Sequence, residues 1–196
     1  RDQAVNLKGL TMAVFGGKIG VNGMVSTKNK VPTFDLDLDL SAVDISQTFS
    51  MLNTLKTIAP VADVINGKMN STITLNGFLT QDMIPDVKSI SGDLMGNILQ
   101  GSLNKNKSTL LTELDNKVTF LDLKDINLKD VKAVLSFKNG KVAVKPFILK
   151  HKDISVQIAG SHGFDQNMDY NLKFDVPVKY LGNDVNKLLA KVTPSD

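Results

Sequence analysis

The chain has 196 residues, 23 basic and 20 acidic side chains, and a net charge of +3. That length suits one domain or two small ones, and the even charge balance argues against an electrostatic nucleic-acid binder. The absence of Cys and Trp and the presence of only two His exclude thiolate sites and disulfides, and argue against a multi-His metal centre or a base-stacking platform.

Read in chain order, most of the sequence is β. The clearest strand is Thr33 to Ser41, where Phe34, Leu36, Leu38 and Leu40 alternate with Asp35, Asp37 and Asp39. A period of two sends the four apolar side chains to one face and the carboxylates to the other. Asp35-Leu36-Asp37-Leu38-Asp39 has the spacing of an opening calcium loop, but the required sixth Gly and twelfth Glu are Leu40 and Ser46. It reads as a solvated strand face, and no metal is expected.

Next comes an amphipathic helix, capped by Ser46 and running from Gln47 to Ile58, with Phe49, Leu52, Leu55 and Ile58 on one side. Pro60 interrupts it, and Val61, Val64 and Ile65 continue the apolar stripe. Further strands are expected at Lys68 to Leu75, Lys141 to Leu149, Ile154 to Ala159 and Tyr170 to Val176. In the last, Tyr170, Leu172, Phe174 and Val176 share a face. Ser108 to Val118 is ambiguous between helix and strand. Short helices are expected at Leu128 to Val131 and Asn183 to Val192. Turns are expected at Gly16-Gly17, Asn22-Gly23, Asn66-Gly67, Asn76-Gly77 and Asn139-Gly140, because Asn-Gly suits the positive φ of hairpin turns.

His151 and His162 read as exposed turn residues at the two ends of one strand. No nucleophile elbow, phosphate loop, dinucleotide fingerprint or His-Glu-x-x-His occurs, so no catalytic residue is assigned and no enzyme is expected. No cofactor is expected either. No run of about 18 apolar residues is present, and with Arg1 first the chain reads as a piece of a longer one, its membrane anchor outside this segment.

The fold class is therefore mainly β with a few helices, an α+β arrangement. It is an extended, curved antiparallel sheet with one apolar face, partly covered by one or two amphipathic helices, over residues 1–196 as one domain. Such a face must be buried against something. An ordinary closed core and an apolar groove left open to a ligand both satisfy that demand.

The order of several short pieces resembles the C-terminal region of the AsmA-like envelope proteins. The pieces are Phe34-Asp35-Leu36, Val43-Asp44-Ile45, Ile58-Ala59-Pro60, Ile65-Asn66-Gly67-Lys68, Leu75-Asn76-Gly77 and Met83-Ile84-Pro85-Asp86, then Asn139-Gly140-Lys141-Val142, Pro146-Phe147, Asp169-Tyr170, Val176-Pro177 and Leu181-Gly182. The resemblance implies a periplasmic protein anchored to the inner membrane. It also implies a β-groove that holds or passes phospholipid acyl chains in support of outer-membrane assembly. The expected lining is Phe34, Leu36, Leu38, Leu40, Tyr170, Leu172, Phe174 and Val176, with Phe49, Leu52, Leu55 and Ile58 as the helical cover. The expected partners are a phospholipid or other acyl-chain ligand and an envelope protein, with no nucleic acid. The alternative is a structural or protein-interaction module with a closed core and no lipid.

Overall fold

The computed structural model describes residues 3–51, 59, 62, 64–104, 111–113, 126–165, 167–180 and 182. Nine strands follow one another: β1 (Ala4–Val14), β2 (Gly17–Ser26), β3 (Thr33–Asp44), β4 (Ile65–Phe78), β5 (Ser91–Leu103), β6 (Val131–Lys138), β7 (Lys141–His151), β8 (Ile154–Gly163) and β9 (Met168–Asp175). They form one open antiparallel sheet whose spatial order is the sequence order, with β1 and β9 as its edges. The five strands expected from alternation are all present, and four others join them.

The sheet is curved. Four register shifts interrupt its ladders, each placing one extra residue in a strand: after Leu7, after Leu40, between Ile98 and Gln100, and after Val144. Bulges of this kind bend a strand and increase its twist. Two of them are closed by the same device. At the first, Gly9 is left-handed (φ 59°) and its N–H donates to Asn22 Oδ1 at 2.7 Å. At the second, Ala42 is left-handed (φ 50°) and its N–H donates to Asn70 Oδ1 at 2.8 Å. In each case an Asn opposite the bulge satisfies an amide the ladder leaves free. At the shift after Val144, Lys145 and Pro146 stand opposite Ala159 alone, a position where a missing N–H costs no ladder bond.

The Asn-Gly expectation needs correcting. Only Asn139-Gly140 turns a hairpin, with φ 53° and 73° as the two positive values that turn requires. Asn22-Gly23 lies inside β2, and Asn66-Gly67 and Asn76-Gly77 lie inside β4. Asn22 is held by its bulge. Gly23 is required because the β3 backbone at Asp35 and Leu36 sits where a Cβ would be. The β1–β2 turn is Phe15-Gly16 rather than Gly16-Gly17.

The helix after β3, α1 (Ile45–Met51), begins on Asp44 rather than Ser46: Asp44 Oδ1 accepts from Gln47 N–H at 2.8 Å. The strand's last carboxylate thus serves as the cap. Ile45, Thr48 and Phe49 are buried. Leu52, Leu55 and Ile58 lie outside the described residues, as do Pro60 and Val61. Val64 is buried and Ile65 opens β4 instead of extending the helix. The helix expected at Leu128 to Val131 is absent. Leu128 N–H donates to the Gly101 carbonyl, Lys129-Asp130 is a turn, and Val131 opens β6. The helix at Asn183 to Val192 lies outside the described residues, as does Ser108 to Val118 except for a helical turn at 111–113.

Two buried clusters lie at different levels of the strands. The larger gathers side chains of β2 to β7 with Phe49 of α1, Ala59 and Ala62. The smaller joins Ile126 and Leu128 to Leu149, Ile154 and Val156, with Phe174, Val176 and Tyr180 packed against it. It lies next to a seam: β6 and β7 pair only through Leu135–Lys138 and Lys141–Val144, so β7 beyond Val144 pairs with β8 alone.

Candidate functional site

Directly paired residues project to the same side of a sheet. The register can therefore be followed from strand to strand. One row runs Leu10, Val21, Leu38, Ile73, Leu94, Leu135, Val144, Gly160, Tyr170, one residue from every strand. A second runs Leu7, Gly23, Leu36, Leu75, Gly92, Phe137, Val142, His162, Met168. Between them, on the opposite pleat, runs Asn22, Asp37, Thr74, Asp93, Ser136, Ala143, Ser161, Asp169. His162 is the only non-Gly polar residue other than Tyr170 in the first two rows, and Ala143 is the only apolar one in the third.

The expected lining residues fall on these rows and on shorter ones beside them. Leu36 and Leu38 are half-buried, and Phe34 and Leu40 are buried. Phe34 pairs with Val25 and Gly77, and Leu40 with Ile19 and Ser71. Tyr170 and Leu172 are exposed on the edge strand, Leu172 opposite Ile158. Phe174 pairs with Val156, and Val176 lies just past the end of β9, both half-buried in the smaller cluster. The β3 and β9 groups are not neighbours: six strand spacings, roughly 29 Å along the sheet, separate them.

Along the first row exposure is lowest in the middle and rises toward the edges. Ile73 is 1% exposed, whereas Leu10 at one end of its row is 47% and Tyr170 at the other is 37%. Val5 and Met12 accompany Leu10 at the β1 side, and Met168 and Leu172 accompany Tyr170 at the β9 side. The middle of the row is buried, and its exposed apolar side chains lie on the two outer strands.

The expectation of exposed histidines is overturned. His151 and His162 are both buried. β8 runs on through His162 to Gly163, so the period Ile154, Val156, Ile158, Gly160, His162 carries the imidazole inward with the aliphatics. His162 Nδ1 lies 2.9 Å from Tyr170 Oη across the β8–β9 hairpin, with the two rings stacked. Tyr170 is 37% exposed as a residue, but partial desolvation raises its hydroxyl above its usual titration range. His151 ends β7, and its Nε2 is buried without a hydrogen-bond partner. The signal for the His162–Tyr170 pair was in the alternation, carried three residues further than the predicted strand end.

Two polar features complete the inventory. Asp153, in the β7–β8 turn, pairs with Lys179 and accepts from Tyr180 Oη at 2.6 Å. The Lys179 ammonium and the Tyr180 hydroxyl hold the Asp153 carboxyl below its usual range, and Asp153 in turn raises Lys179 and Tyr180. This ties the segment after β9 to the β7–β8 turn. A concavity of about 670 Å³ opens at the β6–β7 hairpin, bordered by Asn76, Ser91, Asp93, Lys138 and Lys141. Ser136 Oγ donates to Asp93 Oδ1 there at 2.5 Å. No group of three or more His, Asp or Glu among the described residues is placed to hold a metal ion. No helix among them is long and apolar enough to cross a membrane. No known family, curated protein or solved structure matches this chain.

Proposed function

We propose that this chain is a non-enzymatic, lipid-handling module of a bacterial cell envelope. Its sheet has one apolar face that holds hydrocarbon at the two outer strands, with α1 as part of the cover over the centre. The observation that carries the reading is the first row, buried at Ile73 and exposed at its ends, Leu10 on one side and Tyr170 on the other, with Met12 and Leu172 exposed beside those ends. Burying hydrocarbon from water is worth about 0.8 kcal/mol per CH₂. Relative to a bilayer the gain is close to zero, because the chain was already out of water. A protein that takes up and releases acyl chains therefore needs a plain aliphatic surface more than a tight pocket, and the outer strands supply one. The AsmA-like resemblance agrees with this reading and adds the periplasmic setting and the inner-membrane anchor. Native mass spectrometry of the protein gently extracted from its host tests it: the expected result is a lipid-mass adduct, lost from Leu10→Asp and Leu172→Asp together.

The filled centre favours a second reading, in which the sheet is a structural or protein-interaction module. Its β1 and β9 edges, which pair with no further strand among the described residues, would then dock another envelope protein by strand addition. A stoichiometric protein partner, recovered by crosslinking with no lipid adduct, selects it.

A further inference from the structure

Two loops meet at one corner of the sheet, beside the start of β1, where Thr27 N–H donates to the Gln3 carbonyl at 2.7 Å. The β2–β3 loop carries Lys28, Lys30 and Val31; the β4–β5 connection carries Met83, Ile84 and Lys88 just beyond Phe78. Leu79 N–H donates to the Pro32 carbonyl at 2.8 Å, and Thr33 pairs with Phe78, so the loops stand side by side. Val31, Phe78, Met83 and Ile84 are all exposed, Ile84 to 60%. This exposure is built in. Residues 79 to 85 form a small hairpin closed by Thr80 N–H to the Ile84 carbonyl and Met83 N–H to the Thr80 carbonyl, with Thr80 Oγ1 accepting from Ile84 N–H. At its base, Ser89 Oγ accepts from Phe78 N–H. Met83 sits at φ 62°, a conformation that a non-glycine residue adopts at a cost and that a hydrogen-bonded frame has to enforce. The frame holds its apolar side chains outward.

Lys28, Lys30 and Lys88 are exposed beside these tips and form no ion pair among the described residues. Two carboxylates are near. Asp86 accepts from Lys88 N–H and caps the 3-10 turn at Val87–Ser89, and Asp82 lies at the hairpin tip. The corner is therefore apolar at its tips and net positive by one charge.

We infer that this corner docks on an anionic phospholipid membrane surface, inserting Ile84, Met83, Phe78 and Val31 into the headgroup boundary. Single side chains projecting from two loop tips, flanked by exposed lysines, match a fluid interface better than a flat protein partner. The inference stands apart from the acyl-chain reading: a chain that carries no lipid in its sheet still docks.

The test is vesicle flotation of the intact chain with two compositions, pure phosphatidylcholine and phosphatidylcholine with 30% phosphatidylglycerol. Binding to both is expected, about fivefold tighter on the anionic vesicles, as one net charge provides. Ile84→Asp should weaken both at least tenfold. Lys30→Glu with Lys88→Glu should abolish the anionic preference. Both variants lie on exposed positions, and an unchanged thermal midpoint shows that they fold. Absence of flotation, or flotation untouched by Ile84→Asp, overturns the inference. So does a wild-type dimer in sedimentation that Ile84→Asp dissociates without any vesicle binding, because the corner is then an interface between copies.

Discussion

Ile73 and Tyr170 belong to the same row of paired residues, yet one is sealed and the other open to solvent. The middle strands and the outer strands differ little in pattern. What differs is what lies over them. Strands β2 to β7 share a cluster with Phe49 of α1, Ala59 and Ala62, whereas the row positions of β1 and the outer part of β9 have no such cover among the described residues. Alternation thus decides which way a side chain points, and the neighbouring layer decides whether it becomes core or surface. One aliphatic row is buried at its middle and exposed at its ends.

Mutations separate the two regions by size of effect. Phe137→Ala, at a 1% exposed centre position, should cost about 3–5 kcal/mol in urea denaturation. Leu172→Ala on the outer strand should cost under about 1 kcal/mol, since little burial is lost. Equal losses at the two positions would erase the distinction.

Gly92→Ala comes next. Gly92 sits in a central row between Leu75 and Phe137 at φ 152°, and a Cβ there collides with the Thr74 carbonyl of β4. A loss of about 2 kcal/mol or more is expected, because strain and a backbone collision add. A neutral result would mean that the β4–β5 ladder yields more easily than its register suggests. Smaller effects than at Gly92 belong to the bulge caps. Asn22→Ala and Asn70→Ala should each lower stability by about 1 kcal/mol, and amide exchange should rise locally at Gly9 and Ala42 respectively. Exchange unchanged at both amides would show that water replaces the Asn side chains at no cost.

The five strands with clean alternation were readable because a period of two has one physical meaning in a half-buried sheet. The Asn-Gly pairs were misleading because one dipeptide serves two needs. At Asn139-Gly140 it supplies positive φ for a turn. At Asn22-Gly23 it supplies a carboxamide for a bulge in the preceding strand and room for a neighbouring backbone. Which need applies depends on a residue 13 positions away, Gly9, and no local rule contains that. The histidines were misplaced for a related reason: a polar residue at an inward position looks like a strand end unless its partner, here Tyr170 across the hairpin, is known. The β3 half of the proposed lining was readable as apolar, but its burial was not, because burial depends on residues distant in sequence, such as Met69, Ile73 and Phe49, that share its cluster.

The most direct test uses a phospholipid with a photoactivatable diazirine in its acyl chain, crosslinked to the folded protein and mapped by peptide mass spectrometry. The account predicts adducts on β1 around Leu10 and Met12 and on β9 around Tyr170 and Leu172, with the central peptides holding Ile73 and Phe137 unlabelled. Adducts confined to the polar row at Asp37, Thr74 and Ser136, or no adducts on either outer strand, would contradict it.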